Sequence, residues 1–243
     1  MAFQFLFNRR DKEVDQQIMS SSEEDEAAAS EEPKDERTPL CAVAVAFQDL
    51  SEFVNSIGIA SFSSGQGHLP LKSFCDACSL ASVLFGCLGI AFKFAELEYC
   101  SKVRNLVEAS DKYGTLNEIL EVDVGNNTVR TAGSLSRNLR RVRQGLDLIR
   151  ALFENFLSSD YGSLKEAAST AYAQVFAPYH TWAIRTAVYA GMCALPTREQ
   201  LLLNLNETDE SAEREMRKYI KASLPVIEYI DKLYISKNIS LDW

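Results

Sequence analysis

Seven apolar residues recur through the middle of the chain at alternating steps of four and three: Leu135, Leu139, Val142, Leu146, Ile149, Phe153 and Phe156. That spacing lines one face of an α-helix of about six turns. A stripe this long needs covering, either by the seam of a coiled coil or by the other helices of a bundle. The rest of the chain favours the bundle. Thr38-Pro39 is a cap-plus-proline start, predicting a helix that runs to about Ile57. The Gly- and Ser-rich stretch 58–69 reads as a loop. Pro70 opens a second helix reaching about Phe85, and Gly86 and Gly89 separate it from a third over Ile90–Ser110. Residues 111–133 read as a long connection, with Leu116–Val124 either a short helix or an extended piece. Further helices are predicted at about 163–174, 177–193 and 209–236. Thr197-x-x-Gln200 is a capping-box pattern, and Thr208-Asp209 supplies N-cap residues ahead of the last helix. No segment alternates as a strand, so the fold class is all-α.

Charge divides the chain unevenly. Residues 1–38 hold eleven acids and five bases, whereas the remainder holds 23 acids and 20 bases. Residues 11–37 lack aromatics and cannot bury enough apolar surface to offset the entropy of ordering. The reading is therefore an acidic, disordered segment over residues 1–37 ahead of one domain over 38–243. Ser20–Ser22 beside Glu23–Glu26 reads equally as a target for an acid-directed kinase or as a plain solubilising tail. A net charge of −9 argues against nucleic acid as a partner. No run of about 20 apolar residues suggests a membrane span, no signal peptide is recognisable, and Ala2 excludes N-myristoylation. These absences lead to an expectation of a cytosolic protein whose six cysteines are free thiols. Cys75 and Cys78 form a CxxC, but with two histidines and no second CxxC they fall short of the roughly four ligands a zinc site needs, so no metal and no cofactor is expected.

Chemistry-bearing motifs are scarce. There is no G-x-S-x-G, P-loop, dinucleotide fingerprint or H-E-x-x-H. Only His68 and His180 could serve as a catalytic imidazole base, and no nucleophile stands out beside either, so an enzyme is not expected. What remains is charge at helical spacing. Glu98 and Lys102 share one face four residues apart, which by itself is an ordinary surface pair. Arg137 and Arg141 are also four apart, more than about 90° around the helix from the apolar stripe. Such a pair is usually a solvated face, although two guanidinium groups also suit a phosphate clamp.

Three blocks carry a family resemblance: Leu88-Gly89-Ile90-Ala91-Phe92-Lys93-Phe94, the run Ser136-Arg137-Asn138-Leu139-Arg140-Arg141-Val142-Arg143-Gln144-Gly145-Leu146-Asp147, and Ala171-Tyr172 through Ala177-Pro178-Tyr179-His180-Thr181-Trp182. Together and in this order they resemble the glycolipid transfer protein family over most of residues 39–235. The resemblance implies a two-layer helical sandwich with a hydrophobic lipid pocket. It also implies transfer of a sphingolipid between membranes, with only transient contact at the membrane surface. By its pattern Glu98 and His180 would hold the ceramide amide. Lys102 and Arg141 stand where the glycolipid-binding branch has Asn and Trp. With Arg137 they match the phosphate-recognising branch of ceramide-1-phosphate transfer proteins and the plant accelerated-cell-death lipid transfer protein. The implied ligand is ceramide-1-phosphate or its phyto form. Two departures stand out: Glu98 replaces Asp and adds a methylene, and Thr181 replaces Pro. Glu98 and the acidic segment favour an alternative, a lipid-responsive interaction protein that transfers poorly. Trp182 is the expected membrane contact, with a core position as the competing reading.

Overall fold

The computed structural model describes residues 37–57, 67–158 and 163–243. The acidic segment, apart from Arg37, and most of the 58–69 loop fall outside the described residues. The helices are α1 Pro39–Ile57, α2 Leu71–Cys87, α3 Lys93–Ser110, α4 Leu116–Gly125, α5 Leu135–Leu157, α6 Leu164–Val175, α7 Trp182–Met192, α8 Arg198–Leu205 and α9 Asp209–Ser236. Two 3-10 turns, Ile90–Phe92 and Ala177–Tyr179, precede α3 and α7. No strand occurs among the described residues beyond an isolated bridge between Pro70 and Thr115.

Local chemistry explains most boundaries. Ser134, Thr115, Ser163, Thr197 and Thr208 each accept a backbone N–H with the side chain, satisfying a donor that the first turn of a helix leaves unpaired. The capping box at Thr197 and Gln200 forms as the spacing predicts. One segment left open is settled, and one differs from the sequence reading. Leu116–Val124, left open between helix and extended chain, is helical because Thr115 caps it and Glu118 reaches back to the Gly114 N–H at 2.8 Å. The helix expected over 177–193 is interrupted at His180, which is extended (φ −102°, ψ 143°). Thr181 then restarts the chain as the N-cap of α7, so the hydroxyl that replaces Pro has a local task.

α2, α1 and α9 lie side by side in one layer, and α3, α5 and α6 in the other. α2 stacks on α3 and α9 on α5. The predicted stripe faces inward: Leu139, Val142, Leu146, Ile149, Phe153 and Phe156 are all buried. By length and composition α1 could cross a membrane. It is instead a core helix, with Leu40 and Phe47 fully buried and Phe47 meeting Tyr219 edge-on at 5.1 Å. A polar rail runs beside the apolar core. Arg140 bonds Asp231 and the Leu241 carbonyl, and Arg143 bonds Asp231 and Asp147, tying α5 to α9 and the C-terminus.

Candidate functional site

The charged residues singled out in the sequence gather where α3, the first half of α5 and the turn before α7 meet. Gly145 is the reason α3 and α5 approach so closely. A Cβ there would lie 2.7 Å from the Tyr99 ring, so only glycine admits that ring. Tyr99 is buried, which leaves Glu98 and Lys102 at the outer edge of the same contact. Lys102 Nζ stands 3.1 Å from Glu98 Oε1; the Lys102 side chain is mostly covered, whereas that of Glu98 is 67% exposed. The ordinary helix pair weighed for these two residues is thus made.

Arg141 is partly buried and donates to Gln144 Oε1 at 2.8 Å. Burial lowers its affinity for its proton, and the charges of Arg137 and Arg140 act in the same direction, while Glu98 opposes them. The Glu98 carboxylate therefore acts on Arg141 across the helix boundary. Arg137 donates to the Arg130 carbonyl at 2.7 Å. His180 lies within 2.9 Å of the Tyr172 hydroxyl through Nδ1 and stacks on Phe176 at 5.5 Å. Its pKa falls below 6.5, first because it is partly buried and then because Arg141 and Arg185 repel a second positive charge. Both causes favour the neutral form of the ring. Arg141 is the common neighbour: the charges of Arg137 and Glu98 act on it, its own charge acts on His180, and Lys102 joins through Glu98.

Much of the interior is one extended apolar core. A narrow cavity of about 20 Å³ lies among Leu84, Leu88, Ile149, Phe153, Leu201 and Leu205. Ligand sites usually measure about 300–1,000 Å³, so an alkyl chain enters only if the helices around it part. Beside the site the surface is unusually apolar. Trp182 is 77% exposed, which sets aside its reading as a core residue. Ile90 at 87% and Phe94 at 86% are more exposed still, and the 3-10 turn carrying Ile90 touches α7. All six cysteines are free, and burial pushes the Cys75 thiol up to about 12, which makes it inert at neutral pH.

Sequence reasoning did not single out Gln144, Phe176 or Tyr172. Gln144 was legible in principle, being one turn beyond Arg141, and Phe176 is four residues before His180. Tyr172 carried no usable signal, because the 3-10 turn between it and His180 breaks helical spacing.

Comparison with known proteins accounts for this arrangement. The family profile described as Glycolipid transfer protein (GLTP) matches residues 69–207. The chain is 62% identical over 206 residues to the ACD11 homolog protein of Arabidopsis thaliana, covering 85% of this chain and 89% of that one. It is 47% identical over 206 residues to Accelerated cell death 11 of the same plant, covering 84% and 96%. A crystal structure of an Arabidopsis ACD11 variant complexed with C12 ceramide-1-phosphate superposes with a TM-score of 0.79 at 46% identity, covering 86% of this chain and all of that one. With a helical sandwich, an apolar interior and the family profile spanning more than half its length, the chain belongs to the glycolipid transfer protein family.

Proposed function

We propose that this protein binds ceramide-1-phosphate or phytoceramide-1-phosphate and carries it between membranes in the cytosol, acting as a carrier and not as an enzyme. The observation that carries the reading is Arg141, on which the charges of Arg137 and Glu98 act while Lys102 pairs with Glu98, beside a largely apolar helical core in a chain whose net charge is −9. A cationic rim above an apolar interior suits a ligand with an anionic head and two hydrocarbon tails. Each tail methylene buried contributes about 0.8 kcal/mol, and the guanidinium groups supply charge-assisted hydrogen bonds to phosphate. The neutral form of His180, which burial favours, keeps one N–H to give. If Nδ1 accepts from the Tyr172 hydroxyl, Nε2 carries the proton and donates to the amide carbonyl. Glu98 accepts the amide N–H once it turns from Lys102. Trp182, with Ile90 and Phe94 beside it, supplies the membrane contact, since interfacial Trp favours the headgroup zone.

A titration of ceramide-1-phosphate against single variants tests this assignment. Arg141→Leu abolishes binding, and the loss of its bond to buried Gln144 costs at most about 1–3 kcal/mol of stability. Glu98→Gln weakens binding about tenfold, the expected effect of removing charge from one hydrogen bond. Glu98→Asp, which restores the family's shorter side chain, binds as well as the parent or better. Equal affinity in the parent, Gln and Asp forms removes Glu98 from the site. Unimpaired binding by Arg141→Leu overturns the phosphate clamp.

A further inference from the structure

Gln144 is buried to 1% exposure on the same helix as the cationic pair, one turn beyond Arg141. Its amide is only half used. Oε1 accepts from Arg141 Nη1 at 2.8 Å, whereas Nε2 is buried with no hydrogen-bond partner. The orientation of the amide is not ambiguous. A guanidinium has donors and no acceptor, so the group facing it must be the oxygen. The nitrogen of the same amide then sits within about 5 Å of that guanidinium nitrogen. Buried amide donors are almost always paired, because leaving one unpaired forfeits the hydrogen bonds it had in water. Leu148, four residues on, packs partly against the small apolar cluster around Tyr172, which also includes Phe176. Those two side chains hold His180. Gln144 therefore lies between the cationic end of α5 and the aromatic support of the histidine.

We propose that Gln144 is a positioning residue for the phosphate clamp: Oε1 aims the Arg141 guanidinium, and Nε2 is held for an oxygen of the bound phosphate headgroup. The first half concerns the free protein; the second rests on the reading that the ligand is a phosphorylated sphingolipid. An unpaired donor in the free state is a cost in stability that ligand binding relieves, as expected where a residue serves a site at the expense of folding.

The test uses the full chain, with Gln144→Leu, Gln144→Glu, Arg141→Leu and the Arg141→Leu/Gln144→Leu double variant. C12 ceramide-1-phosphate is the probe, and NMR relaxation of the Arg141 side chain is measured without lipid. Gln144→Leu is expected to mobilise the Arg141 side chain and to weaken lipid binding about tenfold. Its thermal midpoint is expected to stay level or rise, since the unpaired donor is gone. Gln144→Glu keeps an acceptor for Arg141 but loses the N–H, so it restores arginine order without restoring affinity. In the Arg141→Leu background, Gln144→Leu adds little. A Gln144→Leu variant that melts earlier and leaves Arg141 as ordered as in the parent has a structural glutamine, which overturns the proposal. So does one with parental affinity. If the parent itself fails to bind ceramide-1-phosphate while Gln144→Leu still frees Arg141, the functional reading fails and the positioning role stands.

Discussion

Helices α1 and α7 are both rich in apolar residues, yet the fold treats them oppositely. In α1, Leu40, Val43, Ala44, Phe47 and Leu50 are buried between α9 and α2. In α7, Met192 alone is buried and Tyr189 meets Tyr172 edge-on, while Trp182 and Ile184 face outward. The difference lies in the neighbours. α1 has a helix on either side within its layer, whereas α7 has α6 and a three-residue turn. Apolar composition thus marks what avoids water, and the partner available decides whether that partner is protein. An exposed apolar face of this kind beside a ligand site suits a surface that meets a bilayer.

The largest effect expected from this contrast is in α1. Phe47→Ala removes a fully buried ring from contact with Tyr219 and lowers the unfolding free energy by about 3–5 kcal/mol. A loss below about 1 kcal/mol in chemical denaturation breaks the comparison, because α1 would then be as loosely held as α7. Trp182→Ala sharpens it from the other side. Stability stays within about 0.5 kcal/mol, while association with phospholipid vesicles falls about tenfold in a flotation assay, roughly the burial of one indole face. Parental vesicle binding, or a variant that unfolds, contradicts the membrane assignment. The smallest effect concerns the residue that leads into α7. The pKa of His180 is depressed in the folded state, so its contribution to stability is fully present above pH 6.5. It is lost progressively as pH falls toward the lower folded value, because the unfolded chain takes up the proton first. Urea midpoints should therefore drop less between pH 7.5 and 5.5 in His180→Gln than in the parent. Equal drops in the two proteins would mean that His180 is as solvated folded as unfolded.

Much of the secondary structure was legible because its signals are local. The stripe from Leu135 to Phe156 repeats steps of a single turn, the capping box at Thr197 and the cap-plus-proline at Thr38 each act within one turn of chain, and each stands where expected. The helix expected over 177–193 was misread because the break at His180 follows from a 3-10 turn and the Thr181 cap, and the segment left open at Leu116–Val124 was settled as α4 by the Thr115 cap; both outweigh a weak periodic pattern. In the site, the spacing of Arg137 and Arg141 was visible, but the same spacing suits a solvated face. Nothing in it announced that Arg141 would be drawn partly out of water against Gln144.

The sequence by itself determined most of the helices, the inward stripe and the presence of one ion pair, Glu98 with Lys102, and one cationic pair, Arg137 with Arg141, since these rest on the 3.6-residue period and on side chains a turn apart. Tertiary packing alone decided that Lys102 and Arg141, 39 positions apart, share one neighbourhood. That follows from Gly145 admitting the Tyr99 ring between α3 and α5. Packing also left α7 mostly uncovered and covered one face of α1, because burial depends on which surfaces meet and not on how apolar each one is. The coupling of His180 to Arg141 has the same origin: a charge acts across space, and only the fold sets the distance.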